Sequence, residues 1–188
     1  MTRILLRFLN APIFVLLVTI GVALQTSLFN SYPFLYLQPD VILLAVIWCA
    51  LQRKFFEGGV LTLIFGNIAE IHSAAPQGLF LASYMTVYLV VRLTIRYFVI
   101  PNLSGLVILT LCASILWKFT YISVLSMMGA GSHQWRHLLV LLFPGAVMEG
   151  VAAIWVYRWL EKFDWVTVKS ARAQAMLDEQ LQLEGEGL

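Results

Sequence analysis

Apolar runs punctuated by short polar breaks dominate this chain and predict six helices. The first runs from about Pro12 to Phe29, with its apolar stretch Ile13–Leu24 closed by Gln25-Thr26-Ser27 and broken by Asn30-Ser31-Tyr32-Pro33. A second starts near Pro39-Asp40 and ends at Gln52 before Arg53-Lys54. Proline suits a helix start because its missing N–H would be unpaired there anyway, and Asp40 in the first turn suits the helix dipole. The third, about Gly58–Ile71, opens on Gly58-Gly59 and runs into Ser73-Ala74-Ala75-Pro76. Pro76 and Gly78 predict a tight turn there, since proline fixes φ and glycine allows φ > 0. Helices at about Leu79–Tyr97, Leu103–Met128 and Arg136–Leu160 follow, the last carrying a predicted kink at Pro144-Gly145. From Asp164 onward apolar and charged residues alternate loosely, as in a helix lying on a membrane or a partner.

Composition sharpens this picture. Of 188 residues, 61% are hydrophobic and only 12% charged, against about 25% charged in a soluble domain. The chain is an all-α, polytopic membrane protein with one transmembrane domain, 1–163, and an amphipathic, acidic tail, 164–188. The second and third helices are short for a ~30 Å hydrocarbon core at about 1.5 Å per residue. Tyr32, Phe34 and Tyr36 read as an interfacial aromatic belt. Arg3 and Arg7 ahead of an apolar run mimic a secretory signal, but no small-x-small site follows, so this is read as an uncleaved first span.

The charges orient it. Of the 12 Lys and Arg, ten fall on one side of a six-span topology: Arg3, Arg7, Arg53, Lys54, Arg92, Arg96, Arg158, Lys162, Lys169 and Arg172. Basic residues gather on the cytoplasmic side, which predicts both termini cytoplasmic.

Three ionisable residues remain inside spans: Glu70, Lys118 and Glu149. Such groups are expensive in a bilayer and mark functional sites by default. Depth favours a Glu70–Lys118 ion pair first and Lys118–Glu149 second. Against these stand Lys118 snorkelling to the headgroups, Glu70 sitting at the outer interface, and Glu149 protonated against a carbonyl of the Pro144 kink. Asn67 and Asp40 complete the set of candidate polar residues, with Asp40 read as a helix-start group. Gly58, Gly59 and Gly66 make the third helix the candidate face for a partner's helix, because small residues let helix backbones approach. Cys49 and Cys112 are expected to be buried small hydrophobes. His72, His133 and His137 lack metal-site spacing, and no G-x-x-x-x-G-K-[ST], G-x-S-x-G or H-E-x-x-H occurs. Neither a cofactor nor a nucleic-acid partner is expected.

Three stretches together resemble the MreD family of bacterial rod-shape-determining membrane proteins. They are Leu24-Gln25-Thr26-Ser27-Leu28-Phe29, then Gln38-Pro39-Asp40-Val41-Ile42-Leu43-Leu44, then Gly66-Asn67-Ile68-Ala69-Glu70 followed by Pro76-Gln77-Gly78-Leu79. The similarity covers roughly Leu24–Val91; beyond it only size, span count and orientation fit. The family's acidic position in the third helix is usually aspartate, whereas this chain has Glu70, and its acidic tail is long for the family. The resemblance implies a non-enzymatic inner-membrane subunit of the machinery for lateral peptidoglycan synthesis. Its implied partners are an MreC-like single-span protein, and MreB, RodA and a class B penicillin-binding protein acting nearby. It further implies a fold similar to the substrate-binding subunits of energy-coupling-factor transporters. Two other readings compete. A vitamin-type transport subunit would have an outward pocket lined by Glu70, Lys118, Trp117 and the Ser73–Gly78 loop. A lipid-active enzyme would use Glu70 or Glu149 as base.

Overall fold

A computed structural model describes residues 2–28, 38–73, 75–97, 103–129 and 134–164. These residues form six helices and no strand: α1 (Thr2–Leu28), α2 (Val41–Gln52), α3 (Phe55–Ile71), α4 (Leu79–Tyr97), α5 (Leu103–Met127) and α6 (Gln134–Asp164). Three stretches are long and apolar enough to cross a bilayer: Asn10–Leu28, Leu79–Tyr97 and Ser104–Met127. The chain is a helical membrane protein. The Asn30–Pro33 and Pro101-Asn102 breaks, the aromatic belt, His133 and the tail beyond Asp164 lie outside the described residues.

Three helix boundaries differ from the sequence reading. α1 begins ten residues before Pro12 and carries that proline inside it. α3 begins at Phe55, where the Gly58 N–H already bonds the Lys54 carbonyl at 2.8 Å, so Gly58-Gly59 lies within the helix rather than opening it. α6 continues past Leu160 to Asp164 and remains helical through Pro144.

The bundle is organised around α2. Ile42 through Ala50 are buried without interruption, and α2 contacts each of the other five helices. Its apolar sequence, VILLAVIWCALQ, has no polar face to turn outward. Phe14 of α1 packs on Trp48 at 5.0 Å and on Phe65 of α3 at 5.4 Å, joining three helices in one core. Cys49 lies within this core, but Cys112 is exposed on α5 rather than buried.

α3 and α4 form a closely packed hairpin. Leu79 N–H bonds the Pro76 carbonyl at 3.3 Å, and Gly78 sits at φ +88°, the left-handed conformation a tight turn of this kind requires of its third residue. Gly66 meets the α4 backbone directly: a Cβ there would lie 2.9 Å from Leu81 Cα. A Cβ on Gly58 would lie 2.8 Å from the Tyr88 hydroxyl. These two glycines therefore serve contacts within the chain. The expected partner face at Gly58, Gly59 and Gly66 is turned toward α4, whose Tyr88 and Leu81 occupy the space that the missing side chains leave.

Gly66→Ala is expected to lower stability by about 1–3 kcal/mol through overpacking against fixed backbone. Gly59→Ala, whose Cβ would stand 3.8 Å from Tyr88, should be neutral or slightly stabilising, since alanine is the better helix former. Thermal unfolding of the two variants in detergent checks the contrast.

Candidate functional site

The polar residues inside the bundle gather at two levels. One lies at the end of α2 marked by Arg53. Its guanidinium lies over the Trp48 ring, 5.1 Å from the centroid, bonds Glu57 at 3.1 Å, and donates to the Asn10 amide oxygen of α1. Arg92 of α4 donates to the Ala50 carbonyl at 2.5 Å, satisfying one of the carbonyls that every helix C-terminus leaves open. Gln52 donates to the Tyr157 hydroxyl of α6 at 2.7 Å. These bonds bring α1, α2, α3, α4 and α6 together at one basic end.

The second level is the candidate site. Asp40 is the N-cap of α2, and its Oδ1 accepts from Leu43 N–H at 3.0 Å. Its Oδ2 accepts from the Tyr84 hydroxyl of α4 at 2.7 Å. Tyr84 stacks on Trp117 of α5 at 5.7 Å, and Trp117 on Tyr121 at 5.5 Å. Next to Trp117, Lys118 turns inward, donates to Ser114 Oγ at 3.2 Å and faces Glu149 Oε1 of α6 at 3.5 Å. Side chains of Lys118 and Glu149 are 9% and 3% exposed, so this is a buried ion pair. Asp40 interacts electrostatically with both Lys118 and Glu149. Two carboxylates, one ammonium and one phenol, drawn from α2, α4, α5 and α6, thus form one cluster in the bundle.

Local sequence explains the placement. Ser114 and Lys118 are four residues apart and share a face of α5. Gly145 makes room: a Cβ there would come within 2.9 Å of Lys118 Nζ. Glu149 is one turn further along α6, so the lysine meets it across the space the glycine leaves. Among the described residues, Glu149 Oε2 and Trp117 Nε1 have no hydrogen-bond partner.

The structure brings together Lys118, Glu149 and Asp40 and leaves Glu70 and Asn67 elsewhere. The favoured Glu70–Lys118 pair does not form. Glu70 Oε1 accepts instead from Leu81 N–H at 3.1 Å, capping one of the open amides in the first turn of α4. An acidic group beside a helix N-terminus is favourable, which accounts for Glu70 without a cationic partner. Asn67 is exposed and donates back to the Leu63 carbonyl of its own helix at 3.0 Å. Phe80, Tyr84, Trp117 and Tyr121 interlock at 5.5–6.3 Å. Of the lining expected for an outward pocket, Glu70 is bonded to the start of α4 while Lys118 faces Glu149. Tyr84 and Ser114 escaped the sequence reading. Tyr84 sits in a run, SYMTVY, that reads as ordinary apolar helix, and only its pairing with Asp40 reveals its role. Among the described residues, no three His, Cys, Asp or Glu side chains gather as a metal site would require.

Comparison with known protein families, with characterised proteins and with solved structures finds no match.

Removing one partner of a buried pair strands the other charge and costs about 3–5 kcal/mol. Lys118→Met and Glu149→Leu are each expected to destabilise on that scale, while the double variant recovers most of the loss. Denaturation of all four species in one detergent measures the coupling, and additive losses would contradict the pairing. Tyr84→Phe is expected to cost about 1–3 kcal/mol by leaving Asp40 Oδ2 without its donor; the same assay reads it, with Tyr121→Phe as the reference.

Proposed function

We propose that the chain is a six-span, non-enzymatic subunit of the bacterial cell-elongation machinery, akin to MreD. In this reading it lies in the inner membrane with both termini cytoplasmic and holds the transmembrane helix of an MreC-like partner. Its fold would be of the kind found in energy-coupling-factor substrate-binding subunits, used for docking instead of vitamin capture.

One observation carries this reading. Between α1 and α3 runs an apolar groove of about 840 Å³, lined by Ala11, Pro12, Val15, Leu16, Thr19, Phe56, Val60, Leu61 and Ile64, with Glu57 also on its lining. Ala11, Val15 and Thr19 recur every four residues, giving α1 a stripe of modest side chains along its length. In lipid, helices associate through close packing rather than hydrophobic expulsion, so a concave apolar strip suits a helix more than a flat face does. This reading puts the partner surface in the α1–α3 groove, with Gly58 and Gly66 buried away from it. The polar cluster supports this reading as an internal lock: its carboxylates are held by a helix-start amide, a phenol and an ammonium, an arrangement suited to rigidity.

A photocrosslinking residue at Val60 or Ile64 is expected to capture an MreC-like single-span protein in native membranes, identified by mass spectrometry. The same residue at Ile108, on the exposed face of α5, should capture lipid. Equal capture from both faces would refute the assignment, as would Val60→Trp leaving the crosslink undiminished.

A further inference from the structure

The outward face of α6 at the basic end carries a second arrangement. Trp155, Arg158, Trp159 and Lys162 occur at i, i+3, i+4 and i+7, so they share one stripe of the helix. All four are exposed, the two tryptophans by 80% and 56%. Among the described residues, these four line a hollow of about 260 Å³. The opposite side of α6 is occupied: Ala153 and Leu160 are buried, and Tyr157 is bonded to Gln52. Glu161 lies about 110° round the helix from the centre of the stripe, at about 100° per residue, so it does not face the hollow.

We propose that this stripe binds one anionic phospholipid, its phosphate held by Arg158 and Lys162 and its glycerol region resting on Trp155 and Trp159. The inference requires α6 to cross the bilayer and is independent of the identity of any protein partner.

Depth supports the assignment. α6 has 31 residues, about 46 Å at about 1.5 Å per residue, which exceeds a ~30 Å core. The Tyr157–Gln52 bond sets this part of α6 level with Arg53 and the end of α2. The stripe thus lies where core gives way to headgroups, the depth that tryptophan prefers. Polarity along the stripe also follows the order of a lipid. Val147 and Val151 are exposed below, the indoles come next, and the cations sit at and beyond them. An acyl chain, an ester-bearing backbone and a phosphate match that order; an acidic peptide lying across the helix matches only its last part. Arginine contributes a two-pronged donor set suited to phosphate oxygens, and lysine a point charge.

Native mass spectrometry of the full chain, released from nanodiscs of equal phosphatidylglycerol and phosphatidylcholine, tests the proposal. The wild type is expected to retain phosphatidylglycerol preferentially. Arg158→Gln/Lys162→Gln should reduce its retention at least fivefold while leaving phosphatidylcholine and the melting temperature unchanged. Arg96→Gln, an exposed cation on α4, should have no effect. Equal retention of both lipids by the wild type would overturn the proposal, as would an equal loss with Arg96→Gln. A zero-length crosslink from Lys162 to a carboxylate of residues 165–188 in anionic nanodiscs would give the stripe to the chain's own tail, overturning it too.

Discussion

A helix buried on every side cannot look to solvent or lipid to satisfy its ends, and α2 is such a helix. Its N-terminus is met by Asp40 and by Gln25 of α1, whose Oε1 accepts from Val41 N–H at 3.1 Å. Its C-terminus is met by Arg92 of α4. Each bond that completes α2 therefore also fixes a neighbour. α1 is tied at two levels, through Gln25 to Val41 and through Asn10 to Arg53. The arrangement follows from a helix only 12 residues long and apolar up to its final glutamine: too short to reach water at both ends, too apolar to present a face.

Packing alone discriminates poorly between helix arrangements where the surroundings are as apolar as the core. Directional bonds supply the missing specificity. Asp40–Tyr84 links α2 to α4 and Lys118–Glu149 links α5 to α6, and a rotation of any of the four helices would strand a polar group in a medium that offers no replacement. The aromatic stack from Tyr84 to Tyr121 couples the two links mechanically, since Trp117 precedes Lys118 in α5 and rests on the ring whose hydroxyl holds Asp40.

The helices were legible in the sequence because apolar runs and their breaks are local signals. Asp40 as an N-cap and the turn at Gly78 were legible for the same reason: cap and turn chemistry depends on adjacent residues. Boundaries shifted where tertiary contacts outweighed them. Gly58-Gly59 reads as a helix start, yet α3 begins three residues earlier because Tyr88 packs into the space those glycines leave and donates to the Phe55 carbonyl at 2.6 Å. The choice of partner for Lys118 was beyond local reasoning. Depth along each helix places Glu70 and Lys118 at similar heights, but height says nothing of rotation about the axis. Glu70 faces the start of α4, where an open amide competes for it, while the gap at Gly145 draws Lys118 toward α6. The small-residue signal in α3 was real but ambiguous, since glycines serve contacts within a chain as readily as between chains.

The Lys118–Glu149 pair also bears on biosynthesis. The ribosome releases α5 before α6 exists, so for that interval the Lys118 ammonium lacks Glu149, the carboxylate it faces at 3.5 Å in the finished bundle. A lone lysine near the middle of a span opposes entry into the bilayer by about 2.5–3.5 kcal/mol. α5 is therefore best inserted together with α6, as a hairpin whose charges are already matched. The last two helices would enter the membrane as a single unit and close around α2 and α4, which by then already stand in place.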